Sequence, residues 1–490
     1  MREVFFDEDT IYAPVTPNVH SAVSIIRVSG DRAIEVVDKI FRGKRSIRES
    51  KTHTLLYGNI VGKDGEKIDD VLVAVMRKPN SYTGEDVVEI NCHGNPIIVS
   101  RILELLKWHG LRMALPGEFT KRAVINGKID LIQAEAINSL IMSRNAVNVR
   151  ISRNILDGSL SRIIGEVKEK LLDLLAYLEV LVDHPEEDLA HRDWEFIEDS
   201  IRYSISVLKK ILDKSKNSKF FTDGIKICIV GKTNSGKSSL MNALLGEDRS
   251  IVSNIPGTTR DVVKEITSIE GVPVSILDTA GIRESKNTIE MEGIKRTIKS
   301  IESSDVILAI FDFSSEISEK DITVVETIKK YASDKNVFVV FNKIDKLVSG
   351  LSKEEEFIEE IKNNKKLLSR ENKIVKLLQE NGITPVEYFF TSAKMGVGIK
   401  KLAKTIVTRV VGDVEAEVNN ILINNERHRE MVEKTIDSLG EALESAIQKM
   451  SEEFIAIGVR DALAYIGEMI GEITTEDLMD RIFKNFCIGK

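Results

Sequence analysis

Along the first 118 residues, apolar and polar positions alternate in short runs, as they do in half-buried β-strands. Three runs show this pattern most clearly: residues 21–30 (SAVSIIRVSG), 69–79 (DDVLVAVMRKP) and 86–94 (DVVEINCHG). Asn95 can cap a helix that begins at Pro96, and a helical apolar repeat then continues to about Gly110. The pattern therefore predicts a mixed α/β domain over residues 1–118.

A longer helical periodicity covers residues 119–218 and returns over residues 412–490, with apolar residues every three to four positions. Residues 219–411 instead alternate strands and helices. Four runs predict strands of the buried parallel kind: KICIV, VSILDTAG, DVILAIFD and VFVVFNKID. We expect a parallel-sheet α/β domain that is inserted into an all-helical domain, whose two halves are separated in the sequence.

A strongly charged run occupies residues 353–380 (KEEEFIEEIKNNKKLLSRENKIVKLLQE) within the inserted domain. A charged run of this kind usually forms a solvated face. We expect an exposed helix that belongs to an insertion on the surface of this domain.

Composition limits the class of protein. A chain of 490 residues predicts about three domains, and its 42% hydrophobic and 30% charged residues exclude a disordered or fibrous chain. The sequence has no apolar run near the roughly 18–20 residues that span a bilayer and no signal peptide at its N-terminus. Three cysteines without a CxxC pair favour the reducing cytoplasm. A net charge of −8 gives no support to RNA binding, although a local basic patch stays possible.

Residues 231–238 (GKTNSGKS) match the phosphate-binding pattern G-x-x-x-x-G-K-[ST], between a predicted strand and a predicted helix. Glycines allow the backbone N–H groups to curl around phosphate, and the helix N-terminus adds partial positive charge. We expect Lys237 to reach the β- and γ-phosphates and Ser238 to bind Mg²⁺. The rest of this nucleotide-binding loop is expected to be Asn234, Ser235, Gly236 and Ser239.

Guanine, rather than adenine, is favoured by the tetrapeptide Asn342-Lys343-Ile344-Asp345, which follows the apolar run VFVVF. An Asp carboxylate can accept from both N1–H and the exocyclic amine of guanine, and adenine does not present that pair of donors. Ser392, Ala393 and Lys394 follow another apolar strand, where a backbone amide can meet guanine O6. Together these motifs predict a GTP site.

The order P-loop, Thr-Thr-Arg-Asp, Asp-Thr-Ala-Gly, Asn-Lys-Ile-Asp, Ser-Ala-Lys resembles that of the GTPase superfamily. On this resemblance Thr259, or its neighbour Thr258, binds Mg²⁺ from switch I. Switch II residues that would sense or line the γ-phosphate are Asp278, Thr279, Ala280 and Gly281. Ile282 stands where Ras-like proteins carry a glutamine that orients water, so another group must do so.

Three further segments carry a more specific resemblance: PNSYTGEDVVEINCHGNP, LPGEFTKRAVINGKIDLIQAEAI and the C-terminal DRIFKNFCIGK. They resemble the MnmE (TrmE) family of tRNA-modification GTPases, and the resemblance runs from end to end. It implies a folate-binding and dimerisation domain at 1–118, a helical domain at 119–218 and 412–490, and a Ras-like GTPase domain at 219–411. The gap between Asp345 and Ser392 is longer than usual in that family.

The resemblance also implies a function. The family, together with the flavoprotein MnmG in a heterotetramer, adds a carboxymethylaminomethyl or aminomethyl group to C5 of the wobble uridine of tRNA. Its one-carbon unit comes from a tetrahydrofolate derivative, 5-formyl or 5,10-methylene. Its GTPase is homodimeric and depends on K⁺.

Carried over by position, the family's folate pocket maps to Arg27, Glu89, Lys128 and Lys490. Without the resemblance, Arg27 and Glu89 are simply charges on strand faces. The family's K⁺ site maps to Asn234, Ser253, Ile255 (through its backbone) and Thr258.

Glu290 falls at the family's catalytic glutamate, and neighbouring Glu292 is a rival for that role. Cys487, in the Cys-x-Gly-Lys ending, takes either a direct chemical role or a structural one beside the folate pocket. Two other functions stay open at this point. One is a regulatory GTPase of ribosome assembly, and the other is a folate-binding protein with a vestigial GTPase domain.

Overall fold

The computed structural model describes these residues: 9–143, 145–183, 193–246, 264–277, 298–332, 335–347, 357, 359–360, 363–473 and 475–490. Contacts between backbone positions divide the chain into two compact units. The first comprises Met1–Met142, Ser152–Asp213 and Asn425–Lys490, and the second comprises Ser143–Ile151 and Lys214–Asn424. The domain limits predicted at residues 118, 218 and 411 stay predictions.

The strands of the described residues form two sheets. In chain order they are β1 (Ile11–Pro14), β2 (Ser21–Ser29), β3 (Phe41–Gly43), β4 (Thr54–Val61), β5 (Lys67–Met76), β6 (Val87–Gly94), β7 (Arg112–Met113), β8 (Ile225–Gly231), β9 (Lys264–Ile269), β10 (Val272–Leu277), β11 (Val306–Asp312), β12 (Asn336–Asn342) and β13 (Glu387–Thr391).

The α-helices with ordered bounds are α1 (Ala33–Ile40), α2 (Pro96–Trp108), α3 (Glu118–Ile125), α4 (Leu131–Met142), α5 (Ala146–Leu156), α6 (Ser159–Asp183), α7 (Trp194–Lys214), α8 (Ser218–Thr222), α9 (Lys237–Gly246), α10 (Glu319–Tyr331), α11 (Lys365–Glu380), α12 (Ile399–Val411), α13 (Val414–Asn420), α14 (Glu426–Ile447), α15 (Glu452–Ile470) and α16 (Glu476–Phe483). None of the described helices is long and apolar enough to cross a bilayer.

The first sheet confirms the alternating pattern. Its seven strands lie in the order β3-β4-β5-β6-β2-β1-β7, and they pair antiparallel except for β1 with β7. Val71, Val73 and Val75 are at most 2% exposed because alternate residues of β5 face the core that α1 and α2 cover. Asn95 caps α2 as predicted, since its side chain accepts from the backbone N–H of Ile97 at 2.9 Å.

In the helical part of the first unit, α15 packs against α14, α6 and α4. A buried ionic cluster joins α4 to the chain around the start of α14. Glu135, only 9% exposed in its side chain, accepts from Arg427 Nη2 at 2.5 Å and from the side-chain amide of Asn425. This cluster links the two segments of the predicted split helical domain.

The second unit is built on a six-stranded sheet in the order β13-β12-β11-β8-β10-β9. All neighbours pair parallel except β9 and β10. The central strands are continuous apolar runs and are buried, as predicted, because helices cover both faces of a parallel sheet. Their carboxyl ends meet along one edge, where the nucleotide motifs lie.

The helix predicted within residues 353–380 forms at residues 365–380 as α11, and most of its residues are exposed as predicted. The prediction did not include the buried apolar stripe on one face of this helix. Leu367, Ile374 and Leu378 are at most 5% exposed and lie in the same apolar cluster as Phe313 and Phe341. The charged residues hid an apolar stripe with helical spacing, and burying that stripe stabilises the helix against the sheet.

Candidate functional site

The phosphate-binding loop connects β8 to α9 at the carboxyl edge of the second sheet. Lys237 Nζ donates to the carbonyls of Gly231 at 2.8 Å and Lys232 at 2.9 Å, so the loop curls around its own lysine. Ser235 is fully buried, and its hydroxyl has no hydrogen-bond partner among the described residues. Ser238 and Ser239 are exposed at the helix start. These groups suit the phosphates of a nucleotide and a bound Mg²⁺.

The predicted base-recognition residues come together next to this loop. Asn342, 1% exposed, donates from Nδ2 to the carbonyl of Ser235 at 3.1 Å. Its Oδ1 accepts from Thr391 Oγ1 at 3.2 Å and from the backbone N–H of Ala393 at 3.1 Å. One buried amide therefore bridges the phosphate-binding loop and the loop after β13. Gly236, at φ 101°, leaves room for it, because a Cβ there would collide with Asn342 Nδ2.

Asp345, which is predicted to recognise guanine, is held by a neighbouring hydroxyl. Ser392 Oγ donates to Asp345 Oδ1 at 2.7 Å, and Ser392 itself is 1% exposed. The second carboxylate oxygen is free of this bond, and a carboxylate can accept from two donors at once. Lys394 is exposed beside this pair in sequence. The arrangement fits the bidentate recognition of guanine that the sequence predicts.

Lys343 links three parts of the site. Its backbone is left-handed, with φ 69°, and its ammonium donates to Asp312 Oδ2 at 2.7 Å and to the carbonyl of Asn234. Asn234 is also left-handed, with φ 63°, which is uncommon for residues other than glycine. Burial raises the pKa of Asp312, but the hydrogen bonds from Lys343 and Ser314 lower it by more. The pKa of Asp312 therefore lies below its usual value.

Asp312 and its neighbours were not predicted from the sequence. Asp312 ends β11 and pairs in register with Asn342, so the parallel order of the strands could have pointed to it. Lys232 Nζ, in the phosphate-binding loop, donates to Asp321 Oδ2 at 2.8 Å and to Ser315 Oγ at 3.1 Å. No motif marks residues 312–321, the loop that runs from the last residue of β11 to the first turn of α10, yet this loop contacts both nucleotide motifs.

The predicted residues of the two switches lie outside the described residues. They are Ser253, Ile255, Thr258, Thr259, Asp278, Thr279, Ala280, Gly281, Ile282, Glu290 and Glu292. Of the proposed K⁺ ligands, the structure describes only Asn234, which is exposed at the loop surface.

A second cluster of predicted residues forms in the first unit. Arg27 Nε donates to Glu89 Oε1 at 2.8 Å, as expected for facing residues of β2 and β6. The guanidinium lies 5.0 Å from the ring centre of Tyr82, and Lys490 Nζ lies 5.8 Å from the same ring. Burial and the charge of Arg27 lower the pKa of Lys490. Tyr82 was not predicted, because a single loop tyrosine gives no signal in the sequence.

The C-terminal tail is docked on this cluster. Arg27 Nη1 donates to the carbonyl of Gly489 at 3.3 Å. Gly489 has φ 94°, and a Cβ there would lie 2.5 Å from the carbonyl oxygen of Pro14. Only glycine therefore allows this approach. Lys128, the fourth predicted residue, donates from Nζ to the carbonyl of Pro79, at the start of the loop that carries Tyr82.

Arg27, Tyr82, Glu89 and Lys490 lie around the docked tail, and we call this group the tail pocket. Its polar and aromatic groups suit a folate. A carboxylate can accept from the N–H groups of a pterin, the Tyr82 ring offers a stacking face, and Arg27 and Lys490 suit a carboxylate tail.

The three cysteines differ in their surroundings. Cys487 is exposed beside the docked tail, and its carbonyl accepts from the N–H groups of Gly117 at 3.4 Å and Lys490 at 3.3 Å. Burial raises the pKa of Cys228 to about 12. Burial and the charge of Asp69 raise the pKa of Cys92 to about 11. Cys228 and Cys92 are therefore core thiols. His93 is exposed, and its Nδ1 lies 2.8 Å from Asp69 Oδ1.

Two protein-family models match this chain. The family model "MnmE helical domain" matches residues 131–487, and the model "GTP-binding protein TrmE N-terminus" matches residues 10–128. A "tRNA modification GTPase MnmE" from Clostridioides difficile is 40% identical, with 99% of this chain and 100% of the relative covered. Another protein of the same name, from Acetivibrio thermocellus, is 38% identical, with 99% of this chain and 100% of the relative covered.

A solved structure of Era with MgGDPNP and 16S ribosomal RNA nucleotides is 32% identical and covers 37% of this chain and 55% of its own. Its TM-score of 0.27 is too low to support a conclusion. The full-length relatives and the helical-domain model decide the family. The chain belongs to the MnmE (TrmE) family, whose curated relatives are named tRNA modification GTPases.

Proposed function

We propose that this chain binds and hydrolyses GTP and that it acts in the modification of tRNA. The observation that carries the proposal is the assembled base-recognition site in a chain of this family. Asn342 bridges the phosphate-binding loop and the loop after β13, and Ser392 holds Asp345. Such a site costs little reorganisation when guanine binds, because its polar groups are already in place.

The structure describes some of the residues that are proposed to act in hydrolysis, and others lie outside the described residues. Lys237 and the backbone N–H groups around it would bind the β- and γ-phosphates and stabilise the charge that develops there. Ser238 and Thr259 would hold Mg²⁺, which would neutralise negative charge on the phosphates. Glu290 would orient the attacking water, since Ile282 has no hydrogen-bonding group.

We further propose that K⁺ binds beside the phosphates. The left-handed backbone of Asn234 places this residue at the turn of the phosphate-binding loop, where a side-chain oxygen can ligate a cation. Ser253, Ile255 and Thr258 would supply further oxygens when switch I folds over the nucleotide. K⁺ would then supply positive charge beside the phosphates, as an arginine does in other GTPases.

The tail pocket is proposed to bind a 5-formyl or 5,10-methylene derivative of tetrahydrofolate. Its support is the meeting of Arg27, Glu89 and Lys490 at one aromatic ring. Lys128 would extend the pocket along the loop that begins at Pro79. The exposed thiol of Cys487 lies on the tail that forms the pocket, which is compatible with either of its predicted roles.

A homodimer through the first sheet is supported by an exposed apolar face. Leu55, Tyr57 and Leu72 are 59%, 69% and 42% exposed, and strand register places them together on the face opposite the core. Val23, 52% exposed, lies on the same face. We propose that this face pairs with a second copy, and that the dimer acts with MnmG on the wobble uridine of tRNA in the cytoplasm.

The GTPase proposal is tested with the purified full-length chain. GTP hydrolysis should be at least about tenfold faster in K⁺ than in Na⁺, because the smaller Na⁺ fits a cavity of several oxygens poorly. ATP should compete with GTP for binding only weakly. Equal hydrolysis in the two salts would contradict the K⁺ site, and equal binding of ATP and GTP would contradict the guanine assignment. A ribosome-assembly switch would share the GTPase but leave wobble uridines unchanged.

A further inference from the structure

Helix α11 belongs to the segment between the two base-recognition motifs, and it is anchored beside the nucleotide site. Its apolar stripe lies in the core cluster that also holds Phe313, Phe341 and Phe390. Phe313 directly follows Asp312, so α11 packs against the first residues of the loop at 312–321. The helix is therefore placed to hold that loop.

Two side chains of α11 make polar contacts to the loop: Lys373 Nζ lies 3.7 Å from the exposed Glu316, and Arg370 reaches both Glu316 and the backbone. Arg370 Nη1 donates to the carbonyl of Phe313 at 2.9 Å, and its Nε and Nη2 lie 3.4 and 3.5 Å from Glu316 Oε1. The Arg370 side chain is 14% exposed, whereas that of Glu316 is 61% exposed. The bond to the buried carbonyl is thus the stronger restraint, and the ion pair adds to it weakly.

The loop in turn contacts the nucleotide motifs at both of its ends. At the start, Asp312 holds the ammonium of Lys343 at 2.7 Å, and Lys343 also donates to the carbonyl of Asn234. At the end, Asp321, 2% exposed, accepts from Lys232 of the phosphate-binding loop at 2.8 Å. The same carboxylate caps α10 by accepting from Ser318. Both contacts pair ions that are largely shielded from water, so they resist displacement of the loop.

We propose that Arg370 is a positioning residue for bound guanine nucleotide, acting through the loop at 312–321. It holds the loop, the loop holds Lys343 and Lys232, and these two lysines hold the base-recognition and phosphate-binding segments in register. Loss of Arg370 therefore speeds nucleotide release without touching a group that contacts the nucleotide. The inference rests on the proposed GTP site.

The experiment measures release of fluorescent mant-GDP from the full-length chain by stopped flow. Arg370→Ala should raise the dissociation rate by about tenfold, the size expected from loss of one buried charged hydrogen bond. The dissociation rate of Arg370→Lys should lie between those of Arg370→Ala and the wild type. The KM for GTP should rise, and kcat should change by less than about twofold. Glu316→Ala, at an exposed carboxylate, should raise the rate by about twofold.

Lys376→Ala is the matched control, because Lys376 lies on the exposed side of the same helix and pairs only weakly with Glu380, at 3.8 Å. It should release mant-GDP at the wild-type rate. A folded Arg370→Ala variant with the wild-type rate would overturn the inference, as would equal acceleration in Lys376→Ala. If Arg370→Ala does not fold, an unchanged rate in Glu316→Ala overturns it. Failure of the wild type to bind mant-GDP would overturn the proposed function instead.

Discussion

The nucleotide site and the tail pocket are built in opposite ways. In the second unit, the groups around Asn342 stand at the ends of neighbouring parallel strands, and each arrives with its own short motif. In the first unit, Arg27 meets Gly489 across 462 positions of the chain. The nucleotide site is thus a property of one sheet edge, whereas the tail pocket depends on the docking of a distant C-terminal segment.

This difference indicates which contacts each site depends on. The nucleotide site is secured by short-range packing and by paired side chains such as Ser392 with Asp345. The tail pocket also requires that the helices before the tail are held in place. The buried cluster at Glu135 performs that task, because it joins α4 to the start of α14.

The largest expected effect comes from Glu135→Gln. Breaking a buried ion pair leaves Arg427 without its partner and typically costs about 3–5 kcal/mol of unfolding free energy. Urea unfolding followed by circular dichroism measures it. The first unit should lose stability and folate binding, while GTP binding in the second unit should persist. Loss of GTP binding to the same extent would show that the two sites are not independent.

The control is Glu179→Gln, because Glu179 forms an exposed pair with Arg460 at 3.1 Å. It should change stability by less than about 1 kcal/mol.

The pH dependence offers a second check on Glu135. Burial raises its pKa, but His428 and Arg427 lower it more, so it lies below the usual 4.5. Its contribution is therefore fully present above pH 4.5 and is lost as the pH falls through the lowered value.

The next effect concerns Glu290, which is proposed to orient the attacking water. Glu290→Ala should slow GTP hydrolysis by about a hundredfold or more, and GTP affinity should change little. Single-turnover hydrolysis and mant-GTP titration separate the two quantities. A large loss of rate in Glu292→Ala, with little loss in Glu290→Ala, would move the role to Glu292.

Asp345→Asn should weaken GTP binding by about 10- to 150-fold, since a charge-assisted bidentate contact is worth about 1.5–3 kcal/mol. Xanthosine triphosphate carries an accepting carbonyl at C2, so the variant should prefer it to GTP. A competition titration gives both affinities. If the variant still prefers GTP, the guanine assignment is wrong. Folate binding by the variant should be the same as in the wild type.

Gly489→Ala addresses the tail pocket alone. The added Cβ would lie 2.5 Å from the carbonyl of Pro14, so the tail cannot dock as it does now. Binding of 5-formyltetrahydrofolate, measured by calorimetry, should weaken by about tenfold or more. Gly440→Ala is the control, because a Cβ there meets no atom within 4 Å. Folate binding that survives Gly489→Ala would show that the tail does not form the pocket.

The sequence predicted the nucleotide site better than the tail pocket for a physical reason. A phosphate-binding loop or an Asn-Lys-Ile-Asp turn encodes its backbone shape within a few residues, and parallel strands bring such turns to one edge. Arg27, Glu89 and Lys490 carry no such local code, and only the resemblance to a family connected them. Tyr82 and Gly489 were missed because their roles depend on contacts that form after folding.

Helix α11 was predicted only in part. Charged residues outnumber apolar residues in its sequence, and the prediction of an exposed helix rested on those charges. Leu367, Ile374 and Leu378 are spaced by seven and then four positions, which places them on one helical face. The amphipathic stripe was present in the sequence, but burial against Phe313 depended on the position of the neighbouring loop.

We propose that both sites serve one reaction on tRNA. Mass spectrometry of wobble nucleosides from a strain that lacks the gene tests this claim most directly. The wild-type gene should restore the carboxymethylaminomethyl or aminomethyl group at C5 of uridine, whereas Asp345→Asn and Gly489→Ala should each restore much less. Gly440→Ala should restore it fully. Unchanged wobble uridines in the deletion strain would contradict the account, and full restoration by either impaired variant would show that its site is not required.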